Sequence, residues 1–480
     1  MKKLVDFYEL TMAYTDFKSG KMDQVCYFDV FFRKNLAKGG FNIACGLDDI
    51  IDLILDFSFS EEDITYLRSL NCFSEDFLAY LKAFKFSGDI YAVKDGTVIF
   101  PQEPIITVVG NAIETQLIET DLLNRFNHGS LIATKTRRIV NEAKNKAVME
   151  FGARRAQGRD AAVFGAKYAY IAGAVGTSCY EAGKRFKIPL LGTMAHSHIM
   201  KYETEYDAFL AYAKVFPDNA VFLVDTIDSL RSGMVNAIKV ANDYLIPNGY
   251  RLKGIRLDSG DLSYLSKQAR IMLDQANMKD CKIIVSNALD EQAIKDLLEE
   301  KAPIDVFGVG ENLITSKGDP VFDGVYKLAA IVDKGKLIPK MKVSETQAKM
   351  TNPGYKKLYR FYDKDSGYAL GDLIALADEI IDLNEYVLFD EFEIWKQTKI
   401  TNYVIRELHE PIFIKGKLVY QKPTLQKSKE YCQQEIDTLY PEILRINNAH
   451  RYYVDLSYDL YKLKLGLIKQ NTIKPIGDSV

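Results

Sequence analysis

The chain is short of histidine and cysteine and has no long apolar run, and each shortage narrows what it can be. Only five histidines occur in 480 residues. The six cysteines (Cys26, Cys45, Cys72, Cys179, Cys281 and Cys432) are scattered and form no C-x-x-C pair. That argues against a zinc site or a disulfide framework and for a reducing cytoplasm. No stretch approaches the ~20 apolar residues a membrane helix needs, and Asp6 and Glu9 interrupt any signal-peptide core after Lys2 and Lys3. A net charge of −3 leaves no bulk attraction to nucleic acid or to an anionic membrane. Internal repeats and low-complexity linkers are missing too. What is there is an ordinary globular composition, 48% hydrophobic and 26% charged, long enough for two or three domains.

The first 125 residues or so read as helices mixed with antiparallel strands. Residues 6–18 have helical spacing, with Phe7, Leu10, Tyr14 and Phe17 on one face. Ser60-Glu-Glu-Asp63 resembles a capping box. Residues 26–32, 90–93, 98–100 and 105–109 read as strands. A helical stretch then covers 114–145, and the rhythm changes. Short apolar runs at 148–151, 190–191, 221–224, 254–257, 282–285 and 305–307 each end in small or polar residues and lead into a helical pattern. Alternation of this kind implies parallel pairing with right-handed crossovers. Six decorated strand ends favour a barrel, whose active site lies at that face, over an open doubly wound sheet. Beyond about 333 the rhythm is lost: 351–354 reads as a loop, 412–420 as a strand pair around Gly416 and 428–444 as an amphipathic helix.

Two of the five histidines, His196 and His198, follow the run at 190–191. Histidine takes up a proton or a phosphoryl group near neutral pH. As an H-x-H pair on a strand end the two rings share one side, which suits a metal-dependent hydrolase. That reading needs more histidines on later strands, and none occurs between Ile199 and Leu408. Arg256-Leu-Asp-Ser-Gly-Asp261 gathers two carboxylates and a guanidinium at a glycine turn. Such a group holds a ribose diol or a Mg²⁺-diphosphate; alternatively, Asp258 or Ser259 caps the following helix. Phe307-Gly-Val-Gly310 places glycines between a strand and a helix, as in a phosphate site or a plain turn. Phe151-Gly-Ala-Arg154 sets an aromatic plate beside arginines, suited to a flat anionic ring.

Together these motifs resemble the nicotinate phosphoribosyltransferase family, of the type II phosphoribosyltransferases, over nearly the whole chain. The blocks that carry the resemblance are 6–12, 28–33, 130–135, 150–157, 192–197, Asp225-Thr226, 256–261, Ser286-Asn287 and 308–316. It implies transfer of the phosphoribosyl group of phosphoribosyl pyrophosphate to nicotinate, giving nicotinate mononucleotide and diphosphate for NAD salvage. The resemblance also implies ATP hydrolysis coupled through a phosphohistidine, with Mg²⁺ present. The implied fold is α/β: an irregular, incomplete barrel (128–332), an α+β N-terminal domain (1–127) and a C-terminal region (333–480) packing on the latter. The implied assembly is a cytoplasmic homodimer.

By position, His196 matches the phosphorylated histidine and Asp258, in Arg256-x-Asp258, the ribose-binding carboxylate; His196, Asp258 and Arg256 are the implied catalytic residues. Phe151 and Tyr8 match the two rings that sandwich the base, Tyr8 coming from the neighbouring subunit. Arg154 matches the base-orienting arginine. Ser178 stands where the related nicotinamide enzyme has an aspartate; serine does not repel a carboxylate, which favours nicotinate. Asp261, Ser286, Asn287, Gly308, Gly310 and Ser316 match phosphate and ribose positions, with Asp261 also the candidate metal ligand. Glu311 departs from the family pattern, which has a small hydroxyl residue there, and His198 stands where an aromatic is more usual.

Overall fold

The computed structural model describes residues 3–344, 346, 349–391 and 393–472. It divides into two compact units, one made of 132–320 and the other of 1–131 with 321–480.

In the second of these, the first helix is Phe7–Ser19, closed by Gly20 in the left-handed region at φ 72°. The expected capping box is present at Glu61–Ser69: Asp63 N–H donates to Ser60 Oγ (3.2 Å) and Ser60 N–H to Asp63 Oδ2 (2.7 Å). Residues 114–145, expected as one helical stretch, form Ala112–Leu117 and Glu119–Ala143 instead. The buried Glu9 carboxylate takes the Thr120 N–H at 2.8 Å, a donor that an unbroken helix would send to the carbonyl four residues back.

A seven-stranded antiparallel sheet runs Lys336–Pro339, Val325–Asp333, Val25–Phe31, Ile106–Asn111, Asp89–Ala92, Glu410–Ile414, Lys417–Leu418. Val325–Asp333, assigned from the sequence to the barrel domain, thus belongs here, paired with Val25–Phe31. The last two strands are the expected pair around Gly416. A four-stranded sheet, Tyr403–Glu407, Lys356–Asp363, Ala369–Leu376 and Val454–Leu456, carries the buried Arg360. The late helix is Leu425–Asp437 rather than 428–444. Thr424 starts it by accepting from Lys427 N–H, and Pro441 disfavours helix at the residue before it.

The unit 132–320 is built on a six-stranded, wholly parallel sheet. In space the order is Gly176–Thr177, Ala147–Glu150, Val306–Val309, Lys282–Ser286, Gly254–Leu257, Val221–Leu223. The two outer strands are not paired with each other, so the sheet is a half-barrel rather than a closed one. Five of the six expected runs are strands. The sixth, at 190–191, makes only a single bridge from Leu190 to Thr177. Pro189 has no N–H with which to extend the ladder, and the edge strand is Gly176–Thr177. Buried Val148, Phe222, Leu223, Ile255, Leu257, Ile283, Val285 and Phe307 make this sheet apolar, as a parallel sheet covered by helices requires.

Candidate active site

The C-terminal ends of these strands bring side chains from distant parts of the sequence to one place. His196 opens the short helix His196–Ile199. Its Nδ1 lies 3.1 Å from Thr226 Oγ1, and its Nε2 lies 3.9 Å from Asp225 Oδ1 and 3.8 Å from Asp258 Oδ2. The histidine side chain is 40% exposed and that of Asp225 1%. Asp225 Oδ2 accepts from Asp258 N–H (3.0 Å) and Ser259 Oγ (2.6 Å). Its Oδ1, the atom facing His196, is buried and accepts no hydrogen bond among the described residues. Asp225 and Thr226 were legible as a strand end and as a block of the family resemblance but were not named as site residues; an acid just after an apolar run was the signal that could have marked them.

The geometry of the H-x-H pair also disfavours the metal reading that the shortage of later histidines had set aside. His196 and His198 lie on a helical turn, where residues two apart point to different sides. His198 instead sets its ring edge-on to Tyr202 and Tyr212. Among the described residues no group of three or more His, Cys, Asp or Glu side chains is arranged to hold a metal.

Arg256 ties the site together. Its Nε donates to Ser286 Oγ (2.9 Å) and its Nη2 to Asp258 Oδ1 (3.2 Å), and its guanidinium sits 5.7 Å from the centre of the Phe151 ring. Its Nη1 reaches the Met194 carbonyl at 3.5 Å, just ahead of His196. Ser286 Oγ donates in turn to Asp258 Oδ1. Asp258 is therefore held from three sides while its Oδ2 stays towards His196.

Phe151 follows the strand Ala147–Glu150. Gly308 leaves room for it: a β-carbon there would meet Phe151 Cε2 at 2.7 Å and Cδ2 at 2.8 Å. Gly308 is a buried strand residue that seats the ring. Glu150 accepts from Gly152 N–H and, at 2.5 Å, from Thr177 Oγ1. Burial raises its pKa, and these two hydrogen bonds pull the other way. Ser178 is exposed, on the turn after Gly176–Thr177, with its N–H on the Glu150 carbonyl at 3.0 Å. Arg154 is exposed on the 153–155 turn.

The remaining expected residues are placed as follows. Asn287 (φ 106°) and Ala288 (φ 45°) take left-handed backbone after Lys282–Ser286. Asn312 Nδ2 holds that turn through the Ala288 and Leu289 carbonyls, at 2.8 and 3.2 Å. Such strain persists only where surroundings enforce it. Gly310 precedes the short helix Glu311–Ile314. Glu311 lies 3.6 Å from Arg155 and 3.9 Å from Lys317, so its charge is balanced. Ser316 is buried and donates its hydroxyl to the Asp319 carbonyl. Asp261, not Asp258 or Ser259, caps the helix Leu262–Gln275, accepting from Tyr264 N–H at 2.9 Å. Tyr8 belongs to the other unit, on the helix Phe7–Ser19, and is 46% exposed.

Two carboxylates to one guanidinium, with an imidazole and an aromatic face alongside, suit a hydroxyl-rich group that develops positive charge better than a bare anion.

Comparisons with known proteins point the same way. The chain matches the model of the nicotinate phosphoribosyltransferase N-terminal domain over 4–127, that of the family over 146–352 and that of the C-terminal domain over 355–464. It is 42% identical over 468 residues to the nicotinate phosphoribosyltransferase of Bacillus subtilis (strain 168), covering 97% of this chain and 94% of the relative. To that of Homo sapiens it is 30% identical over 522 residues, covering 96% and 95%. The crystal structure of human nicotinic acid phosphoribosyltransferase matches with a TM-score of 0.85 at 28% identity, over 97% of this chain and 100% of that one. A nicotinate-nucleotide pyrophosphorylase from Pyrococcus furiosus shares the fold, with a TM-score of 0.68 at 21% identity over 90% and 95% of the two chains.

Proposed function

The chain belongs to the nicotinate phosphoribosyltransferase family, and from that premise we propose that the strand-end cluster carries out the transfer of a phosphoribosyl group to nicotinate in NAD salvage. The observation that carries the assignment is Arg256, which joins the Phe151 ring, Ser286, Asp258 and the approach to His196 in one network. Nicotinate lies on Phe151, its carboxylate taken by Arg154 and unopposed at Ser178. Asp258 accepts from the ribose hydroxyls, and its charge favours the cationic character that grows at the anomeric carbon as the C–O bond to diphosphate breaks. The pyridine nitrogen attacks with its lone pair and needs no base, so alignment is the main task. Asn287, Gly310 and the neighbouring turns receive the phosphates, Ser316 through the geometry of its loop. Glu311 stays clear of them because Arg155 and Lys317 engage it.

ATP coupling runs through His196. A ring nitrogen takes the γ-phosphoryl group, forming an N–P bond as the bond to ADP breaks, and water later releases phosphate. Thr226 orients the ring at Nδ1. Mg²⁺, when bound, would supply charge neutralisation for the departing diphosphate, with Asp261 the residue that would hold it. A donor set without a three-ligand protein cage fits a cation that keeps most of its shell from phosphate and water. Asp261 spends only one oxygen on its helix cap, which leaves the other for that ion. Tyr8 completes the base site from a second copy in a homodimer; Leu4, Phe7, Tyr8 and Met12 form an exposed apolar run there, which supports an interface. No helix of the described residues is long and apolar enough to cross a membrane, and we place the enzyme in the cytoplasm.

The test is product formation from nicotinate and phosphoribosyl pyrophosphate, with ADP followed in parallel. Consumption of base only when nicotinamide replaces nicotinate would overturn the Ser178 assignment.

A further inference from the structure

We propose that Glu150 is a positioning residue of the base site, setting the separation between the ring that stacks on the base and the residue that reads its acid or amide group. This rests on the assignment of Phe151 and Ser178 to that site.

Glu150 is buried at the end of its strand. One carboxylate oxygen accepts from Gly152 N–H and the other from Thr177 Oγ1, while Thr177 Oγ1 accepts from Cys179 N–H at 2.9 Å. A chain of three hydrogen bonds therefore runs from the amide after Phe151 to the amide after Ser178. Each of those two residues is the middle of a peptide turn that the chain clamps on both sides. The backbone adds a fourth tie, Ser178 N–H to the Glu150 carbonyl at 3.0 Å. The first turn cannot relax easily, because a β-carbon at Gly152 would meet Ile314 Cβ at 2.5 Å.

The chemistry at this point calls for an acid. Two donors converge on one side chain, and only a carboxylate offers two acceptor oxygens and no hydrogen. Glutamine must turn its NH₂ towards Thr177 Oγ1 or Gly152 N–H, so one arm of the clamp reverses or opens. A buried carboxylate without a cationic partner is costly to keep. Among the described residues its charge is met by hydrogen bonds alone.

The experiment compares Glu150→Gln, Thr177→Val and the conservative Thr177→Ser in steady-state assays, with nicotinamide as a competing ligand. Glu150→Gln and Thr177→Val are expected to raise the KM for nicotinate about tenfold and to lower discrimination against nicotinamide, with the KM for phosphoribosyl pyrophosphate within about twofold of the parent. Thr177→Ser should restore both. Unchanged nicotinate KM and discrimination, or an equal rise in both KM values, overturns the positioning role. If Glu150→Gln does not fold, the Thr177 pair decides alone. Phe151→Ala and Ser178→Asp serve as reference: if they raise the nicotinate KM and the clamp variants do not, only the clamp is wrong. If they too leave it unchanged, the base site and the clamp fall together.

Discussion

Gly308 faces the ring of Phe151 so closely that a β-carbon would lie 2.7 Å from Phe151 Cε2, with the Ser286 Cβ at 3.3 Å on another side. The ring cannot retreat without disturbing Arg256, whose guanidinium rests over it. Gly308→Ala should therefore tilt or displace the ring at an overpacking cost of about 1–3 kcal/mol. The expected result is a nicotinate KM raised about tenfold in a protein that still folds, read by steady-state kinetics beside thermal melting.

His196→Ala should abolish ATP hydrolysis and slow or uncouple transfer, measured as ADP release against nicotinate mononucleotide formed. Thr226→Val removes the hydroxyl at Nδ1 and should lower ATP hydrolysis about tenfold, with the ring present but less well oriented. Full ATPase activity in His196→Ala would sink the phosphohistidine role.

Arg256→Lys keeps the charge but not the fork. An ammonium cannot serve Ser286, Asp258 and the Phe151 face together. The kcat/KM for phosphoribosyl pyrophosphate should fall about 100-fold, or about 2.7 kcal/mol of transition-state binding. A loss no greater than about twofold would show that charge alone suffices.

Stability should depend on pH through two buried acids of the unit 1–131 with 321–480. Burial pushes the carboxyl groups of Glu9 and Asp455 up to about 7. A carboxyl raised on folding binds its proton more tightly in the native chain. Its stabilising share is whole below the unfolded pKa, near 4, and is lost as pH rises through about 7. Melting temperature should thus fall between about pH 4 and 7, and Glu9→Gln should flatten that slope. An unchanged slope in the variant would remove Glu9 from the account.

Arg360 is fully buried. It donates to Asp372 at 2.8 and 2.6 Å, to Glu435 at 3.0 Å and to the Val98 carbonyl at 2.9 Å. Arg360→Met leaves Asp372 buried without a cation and Glu435 with Arg406 as its remaining cation, and should cost about 3–5 kcal/mol, read as a lower urea midpoint. The double change with Asp372→Leu should recover part of that loss.

The alternation of apolar runs with helical patterns was legible because each strand and turn is coded over a few residues. So were the Ser60 cap and the Arg256–Asp258 turn. The residue pattern suggested a strand at 190–191, since a leucine pair says nothing of what packs against it. The missing later histidines set the metal reading of the H-x-H pair aside, but that its backbone is a helical turn and not a strand end was not legible. Tyr8 came from family resemblance and not from its own surroundings.

By itself the sequence determined the strand-turn-helix rhythm, the absence of a disulfide framework and the chemical types gathered at the strand ends. The tertiary structure decided which of them meet. The parallel register sets Glu150 level with Thr177 and Val309, Ser286 with Gly308, and Arg256 with Ile284 and Leu223. Contacts between residues some 20 to 160 positions apart follow from that alignment. A one-residue slip would turn each side chain to the opposite face, so register, which is settled by packing across the whole sheet, makes the site.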